Sequence, residues 1–217
     1  MRTVLLGPPG AGKGTQAKRL AEKYSMEHLS SGDIFRAEKA SGSELGEQIA
    51  KRIDHGKFVP DPIVVEMMTR AIVEAGESFL LDGFPRTLAQ ARSLDESLAT
   101  RSATLDLVIL IEVADDEVVE RIAGRRIAPE SGCVYHVTFN PPKVEGVCDE
   151  SGEALVHRAD DCEEIIRQRL KTYHEQTQPV IDYYRNCEGL DMFSVTGTNK
   201  MPDDVTESIF AAMQQRI

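Results

Sequence analysis

Gly7-Pro8-Pro9-Gly10-Ala11-Gly12-Lys13-Gly14-Thr15 follows at once on an apolar run, Val4-Leu5-Leu6, that has the composition of a buried strand. A strand feeding a glycine loop with a lysine is a phosphate cradle. Glycines let successive backbone N–H groups turn inward on a polyphosphate, Lys13 reaches its terminal oxygens, and the following helix aims its positive end at them. The spacing G-x-x-x-x-G-K is met by Gly7, Gly12 and Lys13 and points to a nucleoside triphosphate. The strict pattern continues with Ser or Thr, whereas here Gly14 precedes Thr15, so Mg²⁺ is expected through water, near Asp82 and Thr15. A glycine-rich turn with a surface lysine is the plain alternative, and the position directly after a strand argues against it.

Working outward, apolar runs at Val4–Leu6, Phe79–Leu81, Leu107–Val113 and Met192–Val195 are too short for helices and alternate with longer stretches of helical period. That is the pattern of an α/β chain with a parallel sheet and crossover helices. Thr15 to Tyr24 reads as one helix, with Ala17, Leu20 and Ala21 on one face. Ser43 opens another, with Leu45, Ile49 and Ile53 at four-residue steps and Gly56 beyond its end. Asp61 reads as an N-cap with Pro62 at the first helical position, opening a helix through Ala75 that Gly76 stops. A long helix is expected from Asp160 to about Asn186, interrupted by Pro179. Asp203 is expected to cap a final amphipathic helix with Val205, Ile209 and Met213 in line. Two stretches break the alternation. Ser30 to Val59 is helix on helix, and Arg126 to Ala159, with Gly132, Gly146, Gly152 and Pro141-Pro142 around Val134-Tyr135-His136-Val137, suits a small irregular β structure. Each is either an excursion packed on the core or a lid, the common use of long structured insertions.

The balance of 25 Lys+Arg against 36 Asp+Glu, a net charge of −11, argues against a nucleic-acid polymer or an anionic membrane as partner. No apolar stretch approaches the roughly 20 residues a bilayer demands, and no signal-peptide pattern is present, so a cytoplasmic protein is expected. Cys133, Cys148, Cys162 and Cys187 are scattered rather than framed, and disulfides are not expected. A monomer is the default, since no additional apolar stripe advertises an interface.

Phe79-Leu80-Leu81-Asp82-Gly83-Phe84-Pro85-Arg86 is a strand ending in an acidic residue, then glycine, then an arginine on the turn. Parallel strands present ligands at their carboxyl ends, so Asp82 either holds Mg²⁺ or its waters, or caps the Thr87 to Ala99 segment. Arg36, Arg86, Arg121, Arg125, Arg158 and Arg169 recur where a helix or turn would face one cleft, although each alone is also an ordinary solvated charge.

These stretches, together with Ser30-Ser31-Gly32-Asp33, Thr87 and Gln90, Gly124-Arg125-Arg126, Tyr135-His136-Val137-Thr138-Phe139-Asn140-Pro141-Pro142-Lys143 and Arg158-Ala159-Asp160-Asp161, make the chain resemble adenylate kinases of the long-lid form over nearly its whole length. The resemblance implies a P-loop NTPase-type sheet flanked by helices: a core of 1–29, 60–121 and 160–217, a helical AMP-binding insertion at 30–59 and a small β-rich lid at 122–159. It implies reversible, Mg²⁺-dependent phosphoryl transfer from ATP to AMP, giving two ADP. Gly10, Ala11, Gly12, Lys13, Gly14 and Thr15 would hold the donor triphosphate, Arg121 and Arg125 would clamp it, and Val134 and Tyr135 would lie near its base and ribose. Asn199 and Lys200 would lie in the donor-base region. Ser31, Arg36, Lys57, Phe58, Val59, Gly83, Phe84, Pro85, Arg86 and Gln90 would hold AMP, Gln90 reading the adenine edge. Arg158 and Arg169 would close over the phosphates being exchanged, which with Lys13, Arg86 and Arg125 makes the implied catalytic set, and Asp160 and Asp161 would sit at the lid hinge.

Some members of that family staple the lid with zinc through two C-x-x-C pairs. The matching positions here are Ala128, Ser131, Cys148 and Ser151, one ligand of four, so no structural zinc is expected and Ser131 and Ser151 are expected to hydrogen-bond instead. Ser31, where many relatives carry Thr, also occurs in those that use GTP, which leaves a GTP:AMP phosphotransferase open beside a CMP or UMP kinase. Gln90 speaks for adenine as acceptor. A nucleotide-binding regulator without catalysis would be expected to lose the lid arginines first, and Arg121, Arg125, Arg158 and Arg169 are all present.

Overall fold

The computed structural model describes residues 1–55 and 57–216; Gly56, the expected stop of the Ser43 helix, lies outside the described residues. β1 (Arg2–Leu6) leads through the glycine loop into α1 (Lys13–Tyr24). β2 (Glu27–Ser30) precedes two successive helices, α2 (Ser31–Ala40) and α3 (Glu44–Ile53). Then come α4 (Asp61–Ala75), β3 (Phe79–Asp82), α5 (Leu88–Ala99), β4 (Leu107–Glu112) and α6 (Asp115–Ala123). An antiparallel pair, β5 (Arg125–Ile127) and β6 (Val134–His136), opens the 122–159 stretch. The chain closes with α7 (Glu163–Thr172), α8 (Gln178–Arg185), β7 (Asp191–Thr196) and α9 (Pro202–Gln214).

The main sheet runs β2-β3-β1-β4-β7, every pairing parallel. Val4 stands opposite Leu81 on one side and Val108 on the other, so side chains of like parity share a face. Val4, Leu6, Phe79, Leu81, Val108 and Leu110 pack with Met68 and Ile72 of α4, Leu94 and Leu98 of α5, and Tyr184 of α8. Leu5, Leu80, Ile109 and Ile111 face Leu20 of α1 and Ile209 and Met213 of α9. Both faces are covered, which is why the central strands read as unbroken apolar runs. Each such side chain contributes about 2 kcal/mol by burial, which keeps the strand ends rigid. The chain leaves β1 for β2 and β3 on one side and returns to β4 and β7 on the other. The crevice above the carboxyl end of β1 is therefore where the strand order reverses, the usual seat of a ligand in such sheets.

Local expectations and structure part company in five places. β2 was not expected as a strand because Glu27, His28 and Ser30 are polar; it is an edge strand with only Leu29 buried, and pairing with β3 makes it. Asp61 is the first residue of α4 rather than its cap, and its carboxylate turns to α5. Asp203 does not cap α9: Asp204 Oδ2 accepts from Met201 N at 3.1 Å, while Asp203 pairs with Arg19 at 2.7 Å. The helix expected from Asp160 begins at Glu163, after a single 3₁₀ turn at Ala159–Asp161 and an extended Cys162. Asp82 does not cap α5, because Thr87 Oγ1 accepts from Gln90 N at 3.2 Å.

Elsewhere the local signals hold. Ser43 Oγ accepts from Gly46 N at 2.8 Å, and α4 ends on Gly76 at φ 80°. Pro179, which has no N–H to donate, follows a π turn at Tyr173–Thr177. The 122–159 stretch adds isolated bridges, Ile127 to Val156 and Val147 to Ala154, around a small cluster of Ala128, Tyr135 and Cys148. Among the described residues no helix is long and apolar enough to cross a membrane.

Candidate active site

The glycine loop sits at the strand-order reversal. Gly10 has φ 75°, and a Cβ there would stand 2.6 Å from Ile122 Cγ1 of α6, so this close approach excludes any side chain. Gly12, at φ 86°, is the N-cap of α1 and brings no side chain to compete for the N–H groups of its first turn. Lys13 Nζ folds over the loop, donating to Gly7 O at 2.8 Å and Pro8 O at 2.7 Å. Burial pulls the Lys13 ammonium down to about 8; Asp82 opposes this, while Arg86 and Arg169 add to it. A group so placed gains its charge fully when an anion arrives.

Asp82 closes β3 with Oδ2 3.5 Å from His28 Nε2 and facing Gly14, on which a Cβ would stand 3.6 Å away. His28 Nε2 is buried without a hydrogen-bond partner. A carboxylate beside the phosphate loop, with the Thr15 hydroxyl on the first turn of α1, is the hard-oxygen chemistry that suits Mg²⁺. No cluster of three or more His, Cys, Asp or Glu side chains able to hold a metal exists among the described residues. An ion at Asp82 must therefore complete its shell with water or with oxygens of a ligand.

Opposite Lys13 lies a wall of mutually bonded polar groups. Gly83, at φ 75°, brings its carbonyl to Ser31 Oγ at 2.8 Å and to Arg86 Nε at 2.6 Å; a Cβ on it would strike both Ser31 Oγ and Arg86 Nη2 at 2.8 Å. Arg86 N donates to Gln90 Oε1 at 2.7 Å, and Gln90 Nε2 donates to Asp61 Oδ1 at 2.7 Å. Thr87 Oγ1 donates to Asp61 Oδ2 at 2.9 Å, and Thr177 Oγ1, carried by the π turn, donates to Arg86 O at 2.9 Å. The guanidinium of Arg86 lies 5.4 Å over the ring of Phe58.

One cleft is lined by Lys13, Arg36, Lys57, Phe58, Val59, Gly83, Pro85, Arg86, Gln90, Asp160 and Arg169. Burial and then Arg169 lower the Arg86 guanidinium to about 10; burial and then Arg36 and Arg125 do the same for Arg158. Arg169 is lowered by burial, with Asp160 opposing. These cations feel one another, and two carboxylates restrain part of the charge. Arg125 makes a bidentate pair with Asp161 at 2.6 and 2.9 Å, and Arg169 Nη1 lies 3.0 Å from Asp160 Oδ2. The arrangement suits a ligand with several negative charges.

Three expected site residues turn their side chains away from this cleft. Arg121 does not face this cleft; it pairs with Glu117 and donates to Gly197 O at 2.6 Å and Lys200 O at 3.1 Å. Tyr135 turns its ring into the cluster under β5 and β6, where its hydroxyl accepts from Asp149 N at 2.8 Å, while Val134 is exposed. Phe84 packs into the main core, while its neighbours Gly83 and Pro85 line the cleft. At the zinc-like positions Ser151 Oγ donates to Ser131 Oγ at 3.4 Å, and Ser131 Oγ lies 3.9 Å from Cys148 Sγ. Sequence reasoning missed His28, on an unrecognised strand, and Thr177; Asp61 was noticed, but as a cap. A single apolar Leu29 among polar neighbours gives no strand signal for the first, and the pairings of the other two span different elements.

Residues 5–188 match the family model described as adenylate kinase. An adenylate kinase of Lachnospira eligens is 45% identical over 215 residues, 98% of this chain and 98% of the relative. One of Streptomyces coelicolor is 48% identical over 220 residues, 99% of each, and one of Clostridium novyi is 44% identical over 211 residues, 96% of each. With a match of this extent lying over a phosphate loop, an acidic strand end and a cluster of arginines, the chain belongs to the adenylate kinase family.

Proposed function

We propose that the protein transfers the terminal phosphoryl group of ATP reversibly to AMP, giving two ADP, directly between the two bound nucleotides. The observation that carries this is the gathering of Lys13, Arg36, Arg86 and Arg169 on one cleft, with Arg125 and Arg158 close enough to perturb it, in a chain of net charge −11. Family membership supports ATP and AMP as the substrate pair. The glycine loop from Gly10 to Thr15 holds the donor triphosphate, with Arg121, Val134, the backbone of Tyr135, Asn199 and Lys200 on the donor side. Ser31, Arg36, Lys57, Phe58, Val59, Gly83, Phe84, Pro85, Arg86 and Gln90 hold AMP.

Such a transfer needs two polyanions in line and the charge on the equatorial oxygens neutralised; it needs no covalent intermediate on the protein. Lys13, Arg86, Arg125, Arg158 and Arg169 supply fixed positive charge where it develops. Asp82, through water, and Thr15 would hold Mg²⁺, which would supply Lewis-acid neutralisation of the phosphates. Residues 30–59 form the AMP-binding insertion, 122–159 the lid, and the remainder the core. Closure of the lid brings its arginines onto the phosphates and excludes water, so transfer outruns hydrolysis; adenylate kinase lids are a standing example of this behaviour. The enzyme works as a cytoplasmic monomer on free nucleotides.

The test is a competition: protein, Mg²⁺ and ATP with equimolar AMP, CMP, UMP and GMP, followed by chromatography. Selective consumption of AMP is expected. Loss of another monophosphate overturns the acceptor assignment, and turnover with GTP but not ATP overturns the donor.

A further inference from the structure

α6 begins with three acids, Asp115, Asp116 and Glu117, which suits the positive end of a helix. The dipole accounts for their charge but not for where the Glu117 carboxylate points. It reaches forward one turn to Arg121 and sideways to another element, accepting from the backbone N–H of Asn199 at 3.1 Å on Oε1 and 3.0 Å on Oε2. The two side chains of the Glu117–Arg121 pair are only 17% and 20% exposed, so solvent and salt screen it less than a surface pair. The 197–200 loop is pinned at its base without Glu117, by Gly197 N to Glu112 O at 2.8 Å and Ala114 N to Thr198 Oγ1 at 3.0 Å. Its tip, where Asn199 takes the left-handed conformation at φ 54°, is tied through Glu117 and through the Arg121 bonds to the Gly197 and Lys200 carbonyls.

We infer that Glu117 is a positioning residue for the donor nucleotide: one carboxylate holds the Arg121 guanidinium and the 197–200 loop together, so that the donor-side surface is formed before the donor arrives. This rests on the donor-side assignment of Arg121 proposed above. Glu117 touches no phosphate in this scheme. Its contribution is to spare the cost of ordering a long arginine side chain and a loop tip at the moment of binding.

The experiment is steady-state kinetics, varying ATP and AMP separately, on Glu117→Gln, Glu117→Leu, Arg121→Ala and the double variant Glu117→Leu/Arg121→Ala. Glu117→Leu is expected to raise KM for ATP by about fivefold to tenfold, with KM for AMP and kcat within about twofold of the parent. Glu117→Gln keeps an acceptor for Asn199 N–H at nearly the same volume and is expected to show a smaller rise. The double variant is expected to cost less than the sum of the two single penalties, because the two side chains hold the same loop tip and each other. An unchanged KM for ATP in both Glu117 variants while Arg121→Ala raises it would overturn the inference and leave the donor assignment standing. An equal rise in KM for both nucleotides, or additive penalties in the double variant, overturns it too. If Arg121→Ala itself leaves KM for ATP unchanged, the donor assignment fails and the inference falls with it.

Discussion

The two walls of the proposed site are built in different ways. On the acceptor side Ser31 and Gln90 are almost wholly buried, and the bonds joining Ser31, Gly83, Arg86, Gln90, Thr87 and Asp61 form one connected network. On the donor side Val134 is exposed, Asn199 and Lys200 stand on a loop tip, and Arg121 is held by Glu117 and two carbonyls. A buried network has one low-energy arrangement, because each unmade bond costs more than a typical bond contributes. An exposed loop has many. The acceptor wall is thus made by folding, whereas the donor wall depends on a few contacts and on what a ligand supplies.

Lys13, on the phosphate loop at the base of the donor side, offers the largest test. Lys13→Ala is expected to lower kcat by about a thousandfold or more, with an unchanged circular dichroism spectrum, because it removes charge aimed at the transferring group. Turnover near that of the parent would take the phosphate loop out of the mechanism and leave the comparison of walls without a centre.

Asp61→Ala sharpens the contrast. It strips Gln90 Nε2 and Thr87 Oγ1 of their shared acceptor, so a loss of about 2 kcal/mol in unfolding free energy is expected by denaturant titration. KM for AMP should rise by about tenfold while KM for ATP hardly moves. Equal rises would mean that the walls are not separable units.

The smallest effect is a proton. Burial holds Lys13 at about 8 in the nucleotide-free protein, and a bound triphosphate favours the charged form and raises that value. Between the free and bound values the complex carries more protons, so binding takes up a fraction of a proton at about pH 8.5 and none from this group at about pH 6. Calorimetry in buffers of different ionisation enthalpy reads this directly. Uptake that persists in Lys13→Ala would assign the proton to another group.

Much of this molecule was legible along the chain. The phosphate loop is a contiguous pattern, the central strands are apolar because both sheet faces are covered, and Ser43 and Gly76 act on their own neighbours; all are short-range physics. What the local reading could not reach was pairing across elements. Asp61 reads as a helix cap until the fold brings Thr87 and Gln90, 26 and 29 residues away, against its carboxylate. Arg121 reads as a lone cation until Gly197 and Lys200, 76 and 79 residues on, offer it their carbonyls and tie it to a distant loop. β2 is a strand only because β3 lends it hydrogen bonds, and that places His28 beside Asp82. The sequence by itself thus determined the kind of fold, the loop that binds phosphate and the charges available to it. The tertiary structure alone decided which of those charges are free, which are held and by whom, because a side chain's partner is chosen by the packing of whole elements and leaves no mark in its own neighbourhood.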